Sequence, residues 1–304
     1  MLLSLPQLRD SDEARFSCLT ERELAERRRE EGALVISHRG RYWEQSGAPG
    51  YFQPVHLLSR LAPPEATFPS MLCWGFRAAL TPETAHEANG TLPVVRLKDL
   101  DSYDTSRLSS NRRNKLRKAQ RLVRIVQLTG PALLLEQGYG VVRDALARTR
   151  HKRTPTQEEY FRNARKYFLN DHWCVLAGLI DGKLGGYMDG YVVDGVAYGV
   201  SAYYATWALP ANISTGLSYE FAQVCRRLPG VRTLVGGLHA PEATQLGQFK
   251  DDLGYIVDPV PIRWGMNPLA QALIRWRRPH AYYRLTGRAL APAQEPVATA
   301  TSRP

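Results

Sequence analysis

Between His172 and Tyr204 the chain runs through three extended stretches, HWCVLAGLI, KLGGYMDGYVV and VAYGVSAYY. Asp181-Gly182 and Asp194-Gly195 separate them, and an Asp-Gly pair between such runs predicts a tight hairpin. The expected unit is an antiparallel three-strand meander. Two helices are predicted before it, over 137–150 and over TQEEYFRNARKYF, the second opened by Thr156 and Glu159 at capping-box spacing. After it come a helix over about 211–228 stopped by Pro229-Gly230, a strand over 231–237, a short helix over 241–252 ended by Gly254, and a strand YIVDPVPIRW.

The first third reads differently. Residues 20–31 predict an exposed helix, with Thr20 and Glu23 as its capping box and charges of both signs along it. Residues 33–44 predict a hairpin around Gly40, and extended stretches come next at 51–58, 71–80 and 92–100. A basic helix then starts at Ser109, Ser110 or Asn111. Leu116, Ala119 and Val123 form its apolar seam, and Arg113, Arg117 and Arg121 repeat every four residues on another face. A strand over 122–128 precedes the break at Gly130-Pro131. The expected fold class is α/β with a mixed sheet. The expected division is an N-terminal helical segment (1–31), a strand-rich half (32–130), a fuller half (131–288) and a disordered tail (289–304), with no internal repeat in the residues themselves.

Composition narrows the class. Of 304 residues, 44% are hydrophobic and 23% charged, the balance of a soluble globular chain able to bury a sizeable core. The net charge of +11 points to an anionic partner or surface. Four scattered cysteines without metal or CxxC spacing, and an opening MLLSLPQL too short for a signal peptide or a span, lead to an expected cytoplasmic location. The seven histidines have no HxxxH or HExxH spacing, so no metal is expected.

Two patches carry a family resemblance. LSSNRRNKLRKAQRLVRI is similar to the Ser-x-x-Arg-x-x-Ile-Arg-Lys-Ala segment of the FemAB-like branch of the GNAT N-acyltransferase superfamily, which includes BioF2-type domains. The stretch from Pro210 to Tyr255 resembles the same branch in its helix, its Gly-ended strand and the later Phe249-Lys250 and Gly254. The resemblance covers roughly 95–265. It implies a GNAT-like fold, with the strand-rich half as a reduced second copy, and N-acyl transfer to an amine of a small molecule or cell-envelope precursor. It implies acetyl-CoA, another acyl-CoA or aminoacyl-tRNA as donor. The superfamily's glycine-rich pyrophosphate loop is replaced by ATWALPANISTG, and no coiled-coil arm is evident.

Candidate residues can be chosen from what amine acylation requires. Strand alternation puts Tyr187, Asp189 and Tyr191 on one face, where Asp189 would take the amine's proton, the alternative being a solvent-facing polar stripe. Ser201 and Tyr203 share a face, and Tyr203 is the expected proton donor to the leaving group. By resemblance Lys250 faces phosphates of donor or acceptor, although a surface ion pair with Asp251 or Asp252 would also explain it. His239 comes after two glycines at a strand end, where substrate loops gather. Arg112, Arg113, Lys115 and Arg117, at a helix N-terminus, are expected to hold donor phosphates; the alternatives are a nucleic-acid contact or a solvated face. No DNA-binding motif surrounds them. Residues 275–288, with five arginines among Trp276, Tyr282 and Tyr283, are expected first as a closing helix packed on the sheet; an anionic membrane at its inner face or tRNA is the alternative that their composition suits. A fold kept for RNA binding, or as a membrane-associated accessory, is the alternative to an enzyme.

Overall fold

A computed structural model describes residues 7–46, 49–149 and 153–288. The tail expected over 289–304 and the opening MLLSLP lie outside them. In chain order the elements are β1 (Leu8–Asp10), β2 (Cys18–Leu19), α1 (Glu21–Glu30), β3 (Val35–His38), β4 (Arg41–Gln45), β5 (Tyr51–Pro54), β6 (Arg60–Leu61), β7 (Gly75–Leu80) and β8 (Gly90–Leu97). Next are α2 (Ser110–Leu122), β9 (Arg124–Leu128), α3 (Tyr139–Thr149), α4 (Gln157–Lys166), β10 (Cys174–Ile180), β11 (Lys183–Val193) and β12 (Val196–Tyr204). The chain closes with α5 (Ile213–Arg226), β13 (Thr233–Leu238), α6 (Thr244–Asp251), β14 (Ile256–Met266), α7 (Pro268–Arg277) and α8 (Pro279–Thr286).

The meander forms as its turns dictate. Asp181 and Gly182 take φ of 51° and 76°, Asp194 and Gly195 of 45° and 75°, so both central residues of each turn are left-handed. Both capping boxes are present, Thr20 with Glu23 and Thr156 with Glu159. In α2 Ser109 is the N-cap, and Leu116, Ala119 and Val123 are buried as the seam required. The helix over 20–31 is less exposed than its charges imply, because Leu24 and Ala25 are fully buried.

One mixed sheet runs through the described residues in the order β1-β9-β10-β11-β12-β13-β8-β14-β7-β5-β4-β3, with β2 beside β11 and β6 beside β7. Position 130 therefore does not separate two sheets. β9, which lies before it, pairs with β10, and β8 is inserted between β13 and β14. Nor is the stretch before residue 31 an appendage, since β1 pairs with β9 and β2 with β11. Three apolar clusters fill the body. The largest lies around β10–β12 and α2–α5, a second under α1 and β14, and a third around Trp43, Phe76 and Leu80.

Two features of this sheet shape the surroundings of β12. It pairs in parallel with β13 only over Val196–Tyr198 against Thr233–Val235, while β13 pairs with β8 along its other edge as far as Leu238. Against β11, Asp189 faces Ser201 while Gly190 faces Gly199, so Val200 is the extra residue of a bulge. Gly190 lets α5 approach here, because a Cβ at that position would collide with the Tyr198 carbonyl and the Phe221 ring. Gly190→Ala is expected to destabilise the protein by about 3 kcal/mol or more, read by urea denaturation.

Arg112 ties helices together. Its guanidinium donates to Thr215 Oγ1 of α5 at 3.0 Å and to Asp252 Oδ2 at 2.8 Å, and lies 4.7 Å from the Phe249 ring centre in α6. Its side chain is buried, and the hydrogen bond from Arg112 holds the Asp252 carboxyl below its ordinary range. Removing one partner of such a pair strands the other, so Arg112→Met is expected to cost about 3 kcal/mol in thermal or urea unfolding.

Candidate functional site

Two crevices meet at the bulge of β12. The first, of about 300 Å³, lies between α4, β11 and β12 and is lined by Glu31, Tyr160, Tyr167, Tyr187, Asp189 and Tyr203 among others. The second, of about 460 Å³, lies between α3, β12, α5 and α6, with Arg148, Tyr204, Phe249 and Lys250 in its walls. Val200, Ser201 and Tyr203 belong to both.

Charge differs between the two. In the first crevice Asp189 is completely buried and accepts the Tyr167 hydroxyl at 3.0 Å. Burial, then the Asp189 carboxylate, raises Tyr167 far above an ordinary phenol, so it keeps its proton. Burial likewise raises Tyr203, with Ser201 acting to lower it. Burial acts to raise Glu31, but His172, Trp173 and Arg28 together outweigh it and hold the carboxyl down at about 2. Glu31 accepts from Trp173 Nε1 at 3.0 Å and pairs with Arg28 at 3.1 Å.

In the second crevice Lys250 sits with its Nζ donating to the Gly236 carbonyl at 2.8 Å, and burial lowers its pKa. It makes no ion pair with Asp251 or Asp252 among the described residues; Asp252 belongs to Arg112. Arg148 donates to the Tyr204 carbonyl at 2.9 Å and to Thr206 Oγ1 at 2.7 Å. ATWALPAN forms a 3-10 turn over Thr206–Ala211, and Ile213, the first residue of α5, is fully buried against Gly178 and Gly185. The Ile213 side chain at the start of α5 thus turns into the core.

The fold brings together Tyr187, Asp189, Ser201, Tyr203 and Lys250. Asp189 is no solvent-facing stripe, since helix α4 covers that face. Tyr191 lies behind the crevice wall, stacked on Tyr198 at 5.3 Å and under the Arg28 guanidinium. His239 Nδ1 meets the Tyr283 hydroxyl at 3.0 Å, in a small hollow it shares with Lys250 but outside both crevices. Of the basic set, Arg112 is engaged between α5 and α6, Arg113 bonds the Leu108 carbonyl and Ser110, and neither Lys115 nor Arg117 lines either crevice. Glu31, Tyr160, Tyr167 and Arg148 escaped sequence reasoning, because each comes from a helix or helix end with no local mark of a site.

Outside both crevices, Glu21, His56 and Asp194 bring potential metal-ligand atoms within 4.8 Å of one another. The Glu21 carboxylate already accepts from Ser59 Oγ at 2.8 Å and faces Arg41 at 3.8 Å, while burial holds the His56 imidazole down at about 4.

Because Glu31 is depressed in the folded state, its contribution to stability is complete above about pH 4.5, its ordinary value, and is lost as pH falls toward about 2. Glu31→Gln is expected to lower the melting temperature at pH 7 and to flatten its decline across that window, measured by calorimetry at several pH values.

No family model matches the sequence, and no curated protein matches it. Solved structures do. FemX aligns at a TM-score of 0.59 with 9% identity, over 86% of this chain and all of the other. The C-terminal domain of a putative lysylphosphatidylglycerol synthetase from Agrobacterium fabrum aligns at 0.55 with 13% identity, over 88% of this chain and 98% of that one. L-PGS from Bacillus licheniformis aligns at 0.55 with 12% identity, over 94% and 100%. The chain shares the α/β fold of FemX and of these synthetase structures, and the fold agrees with the one the resemblance led one to expect.

Proposed function

We propose that this chain is an N-acyl or N-aminoacyl transferase, with the donor in the Lys250 crevice, the amine in the Asp189 crevice, and reaction over the Val200 bulge. One observation carries the reading. Two crevices share Val200, Ser201 and Tyr203, just where β12 parts from β13; the first has Asp189 and Glu31 against one lysine, Lys166, and the second has Lys250 and Arg148 with no carboxylate. An amine is drawn to carboxylates and tyrosines, and a phosphate-bearing donor to Lys250 and Arg148.

The chemistry balances with these groups. The amine nitrogen attacks the donor carbonyl carbon and passes its proton to Asp189. Negative charge gathers on the carbonyl oxygen, and the bulge supplies a backbone N–H outside the regular ladder to meet it. The ester or thioester bond then breaks, Tyr203, protonated at neutral pH, gives its proton to the leaving oxygen or sulfur, and the proton held by Asp189 returns to the Tyr203 phenolate to restore both groups. Lys250 and Arg148 hold the donor's phosphates, and desolvation strengthens both contacts.

An aminoacyl ester of tRNA fits better than acyl-CoA. The stretch leading into α5, ATWALPAN, lacks the glycines that let a backbone close round a pyrophosphate. The outer face of α2, with Lys115, Arg117, Lys118 and Arg121, continues from Phe249 through the Arg112–Asp252 link and suits an RNA backbone. The acceptor class is an amine on a small molecule or envelope precursor.

Single-turnover transfer from a mixed pool of aminoacylated tRNA, with acetyl-CoA as comparison and a panel of amines, tests this. Tyr203→Phe is expected to slow transfer by about 100-fold or more with no loss of fold. Lys250→Met is expected to raise the donor KM by about tenfold or more. A wild-type rate for Tyr203→Phe, or transfer from neither donor, would contradict the reading.

A further inference from the structure

The closing helices carry chemistry that the two crevices do not use. Residues 259–288 contain six arginines and no Asp or Glu. In α7, Ala270 and Ile274 pack inward, while Leu269, Leu273 and Trp276 point out, each more than half exposed. Their spacing of four and three residues makes one stripe. The Asn267 N–H donates to the Trp74 carbonyl at 2.7 Å, which brings the preceding turn to the start of the helix. That turn carries Met71 and Leu72, the two most exposed large apolar side chains among the described residues.

Behind the stripe, a groove of about 980 Å³ runs between α7–α8 and the strands, rimmed by Arg277, Arg278 and Arg284. Arg77 reaches into it from β7. This guanidinium is buried, and it donates to neutral groups: Gln53 Oε1, at 2.7 and 3.1 Å, and the Arg284 carbonyl, at 2.7 Å. Burying a guanidinium without a carboxylate is costly unless an anion completes it. Tyr51 Oη, also in the groove, is buried without a hydrogen-bond partner among the described residues. An apolar stripe, a cationic rim and a buried cation facing a groove together describe a receptor for an anionic amphiphile.

We propose that the α7–α8 corner docks this protein on an anionic lipid bilayer. The Leu269, Leu273, Trp276, Met71 and Leu72 side chains enter the interfacial layer, and a headgroup phosphate sits in the groove against Arg77, Arg277 and Arg278. A second copy of the chain fits this corner poorly, because an isologous contact would set one net-cationic arginine cluster against another, with Glu242 already paired to Arg284. A nucleic acid would pair with the arginines yet leave the apolar stripe in water. Attachment is peripheral in this account, since no helix among the described residues is long and apolar enough to cross a membrane. Arg284, paired with Glu242, frames the groove.

Vesicle pelleting of the full chain tests this with no donor or acceptor present, so the outcome is independent of any transfer chemistry. Vesicles of about 30% phosphatidylglycerol in phosphatidylcholine are compared with pure phosphatidylcholine. Binding to the anionic vesicles is expected to be at least about tenfold tighter. The exposed double variant Leu273→Ser/Trp276→Ser, and separately Arg277→Gln/Arg278→Gln, are each expected to weaken it by about tenfold or more with unchanged circular dichroism. No pelleting, equal pelleting on neutral vesicles, or an apolar variant that binds like the wild type would overturn the proposal. So would a dimer, seen by sedimentation, that the apolar variant converts to monomer.

Discussion

Everything at the candidate site depends on β12 leaving β13 after three residue pairs. Had the two strands stayed together, one closed surface would replace the crevice, and Lys250 would lie over a filled sheet. The extra residue Val200 bends β12 just past the last shared pair, while β8, from the first third of the chain, holds β13 along its other edge. The opening is therefore made by backbone pairing, and side chains only furnish it. Phe221, pressed against Gly190, and Arg112, clamped between α5 and α6, keep the two sides of the opening in place.

That division explains what was legible beforehand. Features written within a few residues were plain: the Asp-Gly turns, the Thr20 and Thr156 capping boxes, and the seam of Leu116, Ala119 and Val123. The order of helices and strands in the second half came from them. Pairings between distant segments were not plain. Nothing in LPVVRL says that it will lie between β13 and β14, and nothing in the residues before Gly130-Pro131 says that β9 will pair with β10 beyond it.

The site divides in the same way. Asp189, Ser201, Tyr203 and Lys250 could be singled out because strand alternation and the Phe-Lys spacing are local. Arg112 carried a visible charge but not a visible partner, since Asp252 stands 140 residues away and turns a supposed phosphate ligand into a clamp between helices. Glu31 and Tyr167 are ordinary helix-end residues in sequence. They gain a part only through the packing of α1 and α4 around Trp173, where Glu31, Arg28 and Tyr191 form one buried lattice of charge and aromatic rings.

The central claim is that an acyl donor reaches the Val200 bulge from the Lys250 side. A hydrolysis-resistant amide analogue of 3′-aminoacyl-adenosine with a photoreactive side chain can be bound, irradiated and traced by peptide sequencing. The account predicts saturable labelling confined to peptides containing residues 199–204 and 246–255. Labelling confined to the outer strands β3–β5, or to α7–α8, would contradict it.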